Sequence, residues 1–319
     1  MQALVLNPNL AFRQDCPDPK PGDDEALIQL RVAGICATDL ELVRGYAGFS
    51  GIIGHEFVGQ VEAVGNDRHR DWLGRRVVGS INIGCQTCPA CREQGPEHCL
   101  QRKVLGIRGR DGVFADYFTL PIRNLFEVPD QVEDEQAVFA EPLAAALRVD
   151  QQLADSTIGS LAIIGPGRLG LLIAKVLADA GRKVTVLGRT ETSLALPRQW
   201  QLNSTVIDAV DDNSFDGVVD ASGQAEGFRQ ALRIIRPRGT LILKSTFSSL
   251  EPVDLSKVVV GELTVLGSRC GPFAEALAML QRKTVPVETL IDGRYPLSAG
   301  IDALEHAARL GVRKILLRP

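Results

Sequence analysis

The pattern of hydrophobic and polar positions changes character part-way along this chain. In the first third, apolar residues come in short alternating runs. Residues 2–6 predict a first strand, and Pro17, Pro19, Pro21 and Gly22 break the next segment into a turn-rich connection. Residues 25–32 place Leu27, Ile28, Leu30 and Val32 among polar neighbours, which predicts a strand running straight towards Cys36. Residues 53–64, rich in Val and closed by Gly65, and residues 76–83 predict two more strands. Residues 38–43 suit a single helical turn, and no longer helix is expected before about residue 133.

Near Asp134 helical stretches take over. Residues 135–152, rich in Ala and Leu, predict a helix, and residues 161–164 a short, wholly apolar strand. A helix of small and apolar residues over 171–180 ends at Gly181, and a strand over 184–187 comes next. Strands at 217–220, 240–243 and 263–266 and a helix at 228–235 continue the alternation. Helices at 273–281 and 299–310 and a strand at 314–317 complete the tail. Buried strands alternating with helices predict an α/β fold with a parallel sheet. No internal repeat or low-complexity linker interrupts the chain.

Composition narrows the function classes. The 319 residues carry a net charge of −4 without a basic block, which argues against nucleic acid or a membrane surface as partner. Two Trp and three Tyr are too few for a single-strand stacking platform. The N-terminus has no basic run followed by an apolar core, and no apolar run is long enough to span a bilayer, so a cytoplasmic protein is expected.

Three stretches carry candidate chemistry. Gly34-Ile35-Cys36-Ala37-Thr38-Asp39 and Gly54-His55-Glu56 bring a thiol, an imidazole and a carboxylate close in sequence, with a hydroxyl two residues beyond the thiol. These are zinc-ligand types, although a buried cysteine and a loop histidine would look the same. Cys85-x-x-Cys88-x-x-Cys91, with seven residues more before Cys99, offers four thiolates on a tight loop. That set saturates tetrahedral zinc and predicts a closed structural site. A zinc-ribbon nucleic-acid module is disfavoured because Glu93 and Glu97 dilute Arg92, Arg102 and Lys103.

The third stretch, Gly165-Pro166-Gly167-Arg168-Leu169-Gly170, lies between an apolar strand and a helix. This context predicts a dinucleotide site: a tight turn, a close approach of backbone to pyrophosphate, and close helix–strand packing, one for each glycine. The following strand ends in Gly188-Arg189-Thr190, with no carboxylate at its tip for a ribose hydroxyl. A glycine there leaves room for a 2′-phosphate and Arg189 suits pairing with one, which favours NADP over NAD; as a solvated surface residue Arg189 would leave the choice open.

Taken in order, these motifs resemble the zinc-dependent medium-chain dehydrogenase/reductase family, in the branch of polyol, threonine and glucose dehydrogenases. Ala140-Glu141-Pro142-Leu143, Asp220-Ala221-Ser222-Gly223 and Arg313-Lys314-Ile315 complete the likeness, which covers nearly the whole chain. The resemblance implies a β-rich GroES-like catalytic domain over 1–141, completed by 269–319, and a Rossmann doubly wound parallel-sheet domain over 142–268, with the active site in the cleft between them. It implies two zincs per chain, a structural one on the knuckle and a catalytic one on Cys36 and His55, with Glu56 and Glu141 both candidate ligands.

The same likeness makes Asp39 an orienter of His55, an alternative to capping a short helix. It makes Thr38 the acceptor of the alcohol proton, Ser222 and Gly223 cofactor contacts, and Arg313 either a phosphate contact or a surface residue. The implied activity is hydride transfer between a secondary alcohol or polyol, or its carbonyl, and NAD(P). A homodimer or homotetramer, paired through the strand near 263–266, is the implied assembly. Several relatives carry a relay His where this chain has Glu41. That difference keeps a second reading open, a zinc- and nucleotide-binding sensor without turnover.

Overall fold

The computed structural model describes residues 1–154, 156, 158–245 and 254–319. It divides into two compact units. The first comprises Met1–Glu141, Leu277–Arg282 and Val287–Pro319, and the second Pro142–Ala276 and Lys283–Pro286.

The first unit is built on a seven-stranded sheet ordered Leu125–Glu127, Arg76–Gly79, Glu56–Val64, Glu25–Gly34, Lys314–Arg318 and Ile291–Pro296, with Tyr117–Pro121 also paired to Glu25–Gly34. Strand Glu25–Gly34 alternates between buried and more open positions, then becomes wholly buried over its last three residues. Alternation fits a sheet with one face on the core; the buried end marks where both faces are covered. The apolar core joins this strand to distant segments through Ile28, Leu30, Phe57, Phe118, Leu297, Leu304, Ile315 and Leu317.

The second unit carries a six-stranded parallel sheet ordered Asn203–Val206, Val184–Gly188, Leu161–Ile164, Phe215–Asp220, Ile235–Leu243 and Thr264–Gly267. Strand Leu161–Ile164 is buried throughout, which is why its sequence is a continuous apolar run rather than an alternating one. The order reverses on either side of it, the doubly wound arrangement.

Several elements depart from the expectations. The helix expected over 135–152 is two helices, Asp134–Ala137 and Ala140–Gln152, because Pro142 has no N–H for the Val138 carbonyl and a continuous helix cannot run through it. The strand expected over 76–83 splits into Arg76–Gly79 and Asn82–Ile83, which belong to different sheets. Strands Leu10–Arg13, Tyr117–Pro121, Asn203–Val206 and Ile291–Pro296 were not among the expected elements. Their pairing partners, rather than their own patterns, make them strands. Among the described residues, no helix is long and apolar enough to cross a membrane.

Candidate active site and metal centres

Strand Glu25–Gly34 delivers the chain to Cys36, which starts the helix Ala37–Val43. Asp39 closes that helix's first turn, its Oδ2 accepting the Cys36 amide at 2.8 Å. Its other oxygen, Oδ1, lies 3.1 Å from His55 Nδ1. Both alternatives for Asp39 are therefore realised at once, one on each oxygen. A carboxylate only accepts, so Nδ1 carries a proton and Nε2 is where a proton and a metal compete. Burial works against a charged imidazole, but the charges of Asp39 and Cys36 outweigh it and hold His55 well above its usual range.

One ligand atom each from Cys36, His55 and Glu56 lies within 4.8 Å of the others, with His55 and Glu56 buried. Tetrahedral zinc with ligands at about 2.0–2.3 Å separates them by about 3.3–3.8 Å, so small side-chain rotations close this set on an ion. The residues fit a zinc in type and spacing. Thr38 sits at the edge of the cluster, its Oγ1 3.8 Å from Cys36 Sγ. Glu141, the other carboxylate candidate, is not in the group. Glu41 pairs with Arg44 at 2.6 Å on the same short helix as Thr38.

Sequence reasoning missed the residue beside Glu56. Glu56 stands opposite Gly34 in register, and on the other side of Gly34 the last strand pairs Leu316 with it. Lys314, two positions back on that strand, reaches the same face and its Nζ forms an ion pair with Glu56 Oε2. Lys314 and Glu56 are 0% and 1% exposed, which makes this a fully buried pair. In the sequence Lys314 appeared only within the Arg313-Lys314-Ile315 motif, as a cation leading the apolar run 315–317.

The second cluster is Cys85, Cys88, Cys91 and Cys99, one Sγ from each within 4.8 Å of the rest. The helix Pro89–Glu93 turns the chain between them, with Cys88 as its cap. Thr87 Oγ1 donates to Cys85 Sγ at 3.4 Å, and with neighbouring amides lowers that thiol to about 5. Burial and the adjoining sulfurs push Cys91 up to about 12. None of the seven cysteines forms a disulfide. The donor set again fits zinc.

In the second unit, Gly165 has φ +100°, and a Cβ there would press on Ala221 and Ser222. A Cβ at Gly167 would meet nothing within 4 Å, so its backbone is open to a ligand, while one at Gly170 would strike the Gly165 carbonyl. The helix Arg168–Asp179 begins at this turn, with Arg168 and Leu169 in its first turn and Pro166 just before it. The N–H groups of its first turn make the place suitable for a pyrophosphate. Ser222 and Gly223 lie in the next crossover turn: the Ser222 amide donates to Asp220 Oδ1 at 3.0 Å and the Gly223 amide to Ser245 Oγ at 2.8 Å.

The strand tip differs from the expectation. Gly188 is buried, and the space beside it is filled by Ser193 Oγ and Leu194 rather than left open. Thr190 is exposed and caps the following turn through Ser193. Arg189 is exposed. Arg313 is half-buried, and its amide donates to Asp292 Oδ2 at 2.5 Å.

An alcohol dehydrogenase GroES-like domain model matches residues 22–130, and a zinc-binding dehydrogenase model matches residues 169–282. The chain belongs to the zinc-dependent medium-chain dehydrogenase family. A sorbitol dehydrogenase of Halalkalibacterium halodurans is 27% identical, covering 96% of this chain and 95% of that protein. An alcohol dehydrogenase from Thermus sp. ATN1 superposes with a TM-score of 0.88 at 27% identity, covering 100% of this chain and 99% of the other. A protein described as a zinc-binding dehydrogenase from Sinorhizobium meliloti 1021, bound to NADP, matches with the same TM-score, identity and coverage. As a family member this chain is an NAD(P)-dependent oxidoreductase of alcohol substrates, with the α/β architecture of a GroES-like and a Rossmann domain.

Proposed function

We propose that this dehydrogenase oxidises a secondary alcohol of polyol type, or reduces the matching carbonyl, at a zinc held by Cys36 and His55 with a carboxylate from Glu56 or Glu141. The observation that carries this reading is the convergence of Cys36, His55 and Glu56 ligand atoms within 4.8 Å, with the Thr38 hydroxyl beside them. When bound, the zinc supplies Lewis acidity to the alcohol oxygen and the nicotinamide takes up the hydride. Asp39 fixes the His55 ring, so Nε2 is presented in one orientation. Thr38 Oγ would take the alcohol proton as it passes its own hydroxyl proton on, and Glu41, three residues on along the same helix, is the next acceptor outward.

A second, structural zinc belongs on Cys85, Cys88, Cys91 and Cys99. Residues 1–141 with 269–319 form the catalytic domain in this reading, and 142–268 the nucleotide domain. There the turn Gly165–Gly170 takes the pyrophosphate, and Ser222 and Gly223 line the cofactor's path. NADP preference now rests on Arg189 alone, an exposed cation outside every ion pair found among the described residues, because Gly188 is packed. Reduced thiols suit a cytoplasmic setting. Strand Thr264–Gly267 edges the parallel sheet, and Leu255, Val259 and Val260 in the helix that precedes it in sequence are exposed; both features support a homodimer or homotetramer paired along this edge.

Zinc-loaded protein assayed against secondary alcohols, polyols, sugars and amino-alcohols, with NADP and NAD in parallel, tests the reading. Turnover of a polyol with NADP preferred is the expected result. A tenfold preference for NAD, about 1.4 kcal/mol, removes the role given to Arg189. Tight nucleotide binding without turnover on any alcohol would establish the sensor reading instead. Light scattering of the native protein reads the assembly, and a monomer at micromolar concentration refutes the edge pairing.

A further inference from the structure

The strongest observation beyond the two ligand sets is the buried pair between Lys314 and Glu56. Gly34 is the reason the pair exists. It lies between the two strands that carry the partners, and without a side chain it lets them meet across it. A Cβ added at Gly34 would come 2.6 Å from Glu56 Oε2 and 3.2 Å from Lys314 Nζ. The Lys314 ammonium also lies 3.4 Å from the Ile35 carbonyl and 5.4 Å from the centre of the Phe139 ring. A carbonyl, a carboxylate and an aromatic face together form a built seat for one cation.

Glu56 is thus pulled two ways. Its Oε2 is held by Lys314, while a carboxylate oxygen lies within 4.8 Å of the Cys36 sulfur and a His55 nitrogen. A carboxylate neutralised by a buried ammonium is a weak ligand for a second cation, and a carboxylate released from that pairing is a strong one. We infer that Lys314 is a positioning residue, which holds Glu56 back from the metal and so keeps one face of the Cys36–His55 site open for substrate. This rests on the reading of Cys36 and His55 as ligands. It goes beyond that reading by naming what decides the part played by Glu56.

Cobalt(II) replacing zinc in the intact protein reports coordination through its visible bands, and a Cys36→Ser difference spectrum separates this site from the four-cysteine cluster. Glu56→Gln is expected to leave those bands unchanged, because Glu56 is not a ligand while Lys314 holds it. Lys314→Met is expected to weaken and shift them as an added ligand enters, and to tighten cobalt binding about tenfold. The double variant E56Q/K314M is expected to restore the original spectrum.

Should Lys314→Met fail to fold, Gly34→Ala supplies the test, because its methyl separates the pair without removing either charge, and the same shift is expected. Bands lost in Glu56→Gln as fully as in Cys36→Ser would overturn the inference. So would a Lys314→Met or Gly34→Ala spectrum identical to that of the unaltered protein, or a shift that persists in E56Q/K314M. Absence of any Cys36-dependent band would refute the metal site itself and the role of Lys314 with it.

Discussion

Two clusters of metal-ligand residues in the first unit are built on different principles. Cys85, Cys88, Cys91 and Cys99 sit on one short loop, and none of the first three is buried. Cys36, His55 and Glu56 come from two separate segments, and buried charged groups surround them: Asp39 behind His55 and Lys314 behind Glu56. Four like ligands fill every position of a tetrahedral ion and leave nothing to react. A mixed set in which Asp39 fixes the His55 ring and Lys314 holds Glu56 back can leave a position open and keep it open. The difference between scaffold and chemistry therefore lies less in the ligands than in what stands behind them.

Substitution at each cluster sharpens that contrast, and the largest effect belongs to the loop. Cys99→Ser is expected to release one zinc per chain and to expose residues 85–102 to proteolysis, since a structural zinc of this type contributes about 10 kcal/mol to local folding. Metal analysis with limited digestion checks it, and a fully zinc-loaded, resistant variant would contradict it. Cys36→Ser comes next. Its kcat/KM is expected to fall about 10³-fold, the several kcal/mol of charge stabilisation a catalytic metal supplies, while the melting temperature shifts little. Equal damage from both substitutions to stability alone would erase the distinction.

Thr38→Val should lower kcat about 10²-fold with metal content retained, the usual worth of one positioned proton acceptor. Unchanged kcat would remove Thr38 from the proton's path. The smallest effect lies outside both clusters, at Glu135. There the Arg294 guanidinium, donating at 2.7 and 2.6 Å, holds the carboxyl below its ordinary range against partial burial, and Arg318 adds to it. A depressed carboxylate stabilises the fold above its unfolded pKa near 4.5, and that contribution disappears as pH falls through the lower folded value. Glu135→Gln is expected to cost about 1 kcal/mol or less at pH 7 and nothing at strongly acid pH, read by urea unfolding at several pH values. A constant difference at every pH would mean that packing, not charge, explains the cost.

Much of the candidate site was legible in the chain because its parts are local. Cys36, Thr38 and Asp39 share one helical turn, the cysteine loop spans fifteen residues, and Gly165, Gly167 and Gly170 make one turn whose needs are written in their spacing. The elements that escaped notice are those whose identity depends on a partner elsewhere. Tyr117–Pro121 is a strand because Glu25–Gln29 lies beside it, and the helix expected over 135–152 breaks where Pro142 interrupts a favourable composition. At Gly188 the space a side chain would take is occupied by Leu194 and Ser193. A glycine alone does not say which neighbour uses the space.

By itself, the sequence determined the two apolar regimes, the ligand types and the nucleotide turn, because periodicity and close spacing act within a few residues of backbone. The tertiary structure decided what stands behind each ligand. Lys314 lies 258 positions from Glu56, and only the register of the last strand against Glu25–Gly34 brings them together over Gly34. Strand register is a property of two segments at once, set by which apolar faces must be buried together, and no stretch of either strand carries it alone.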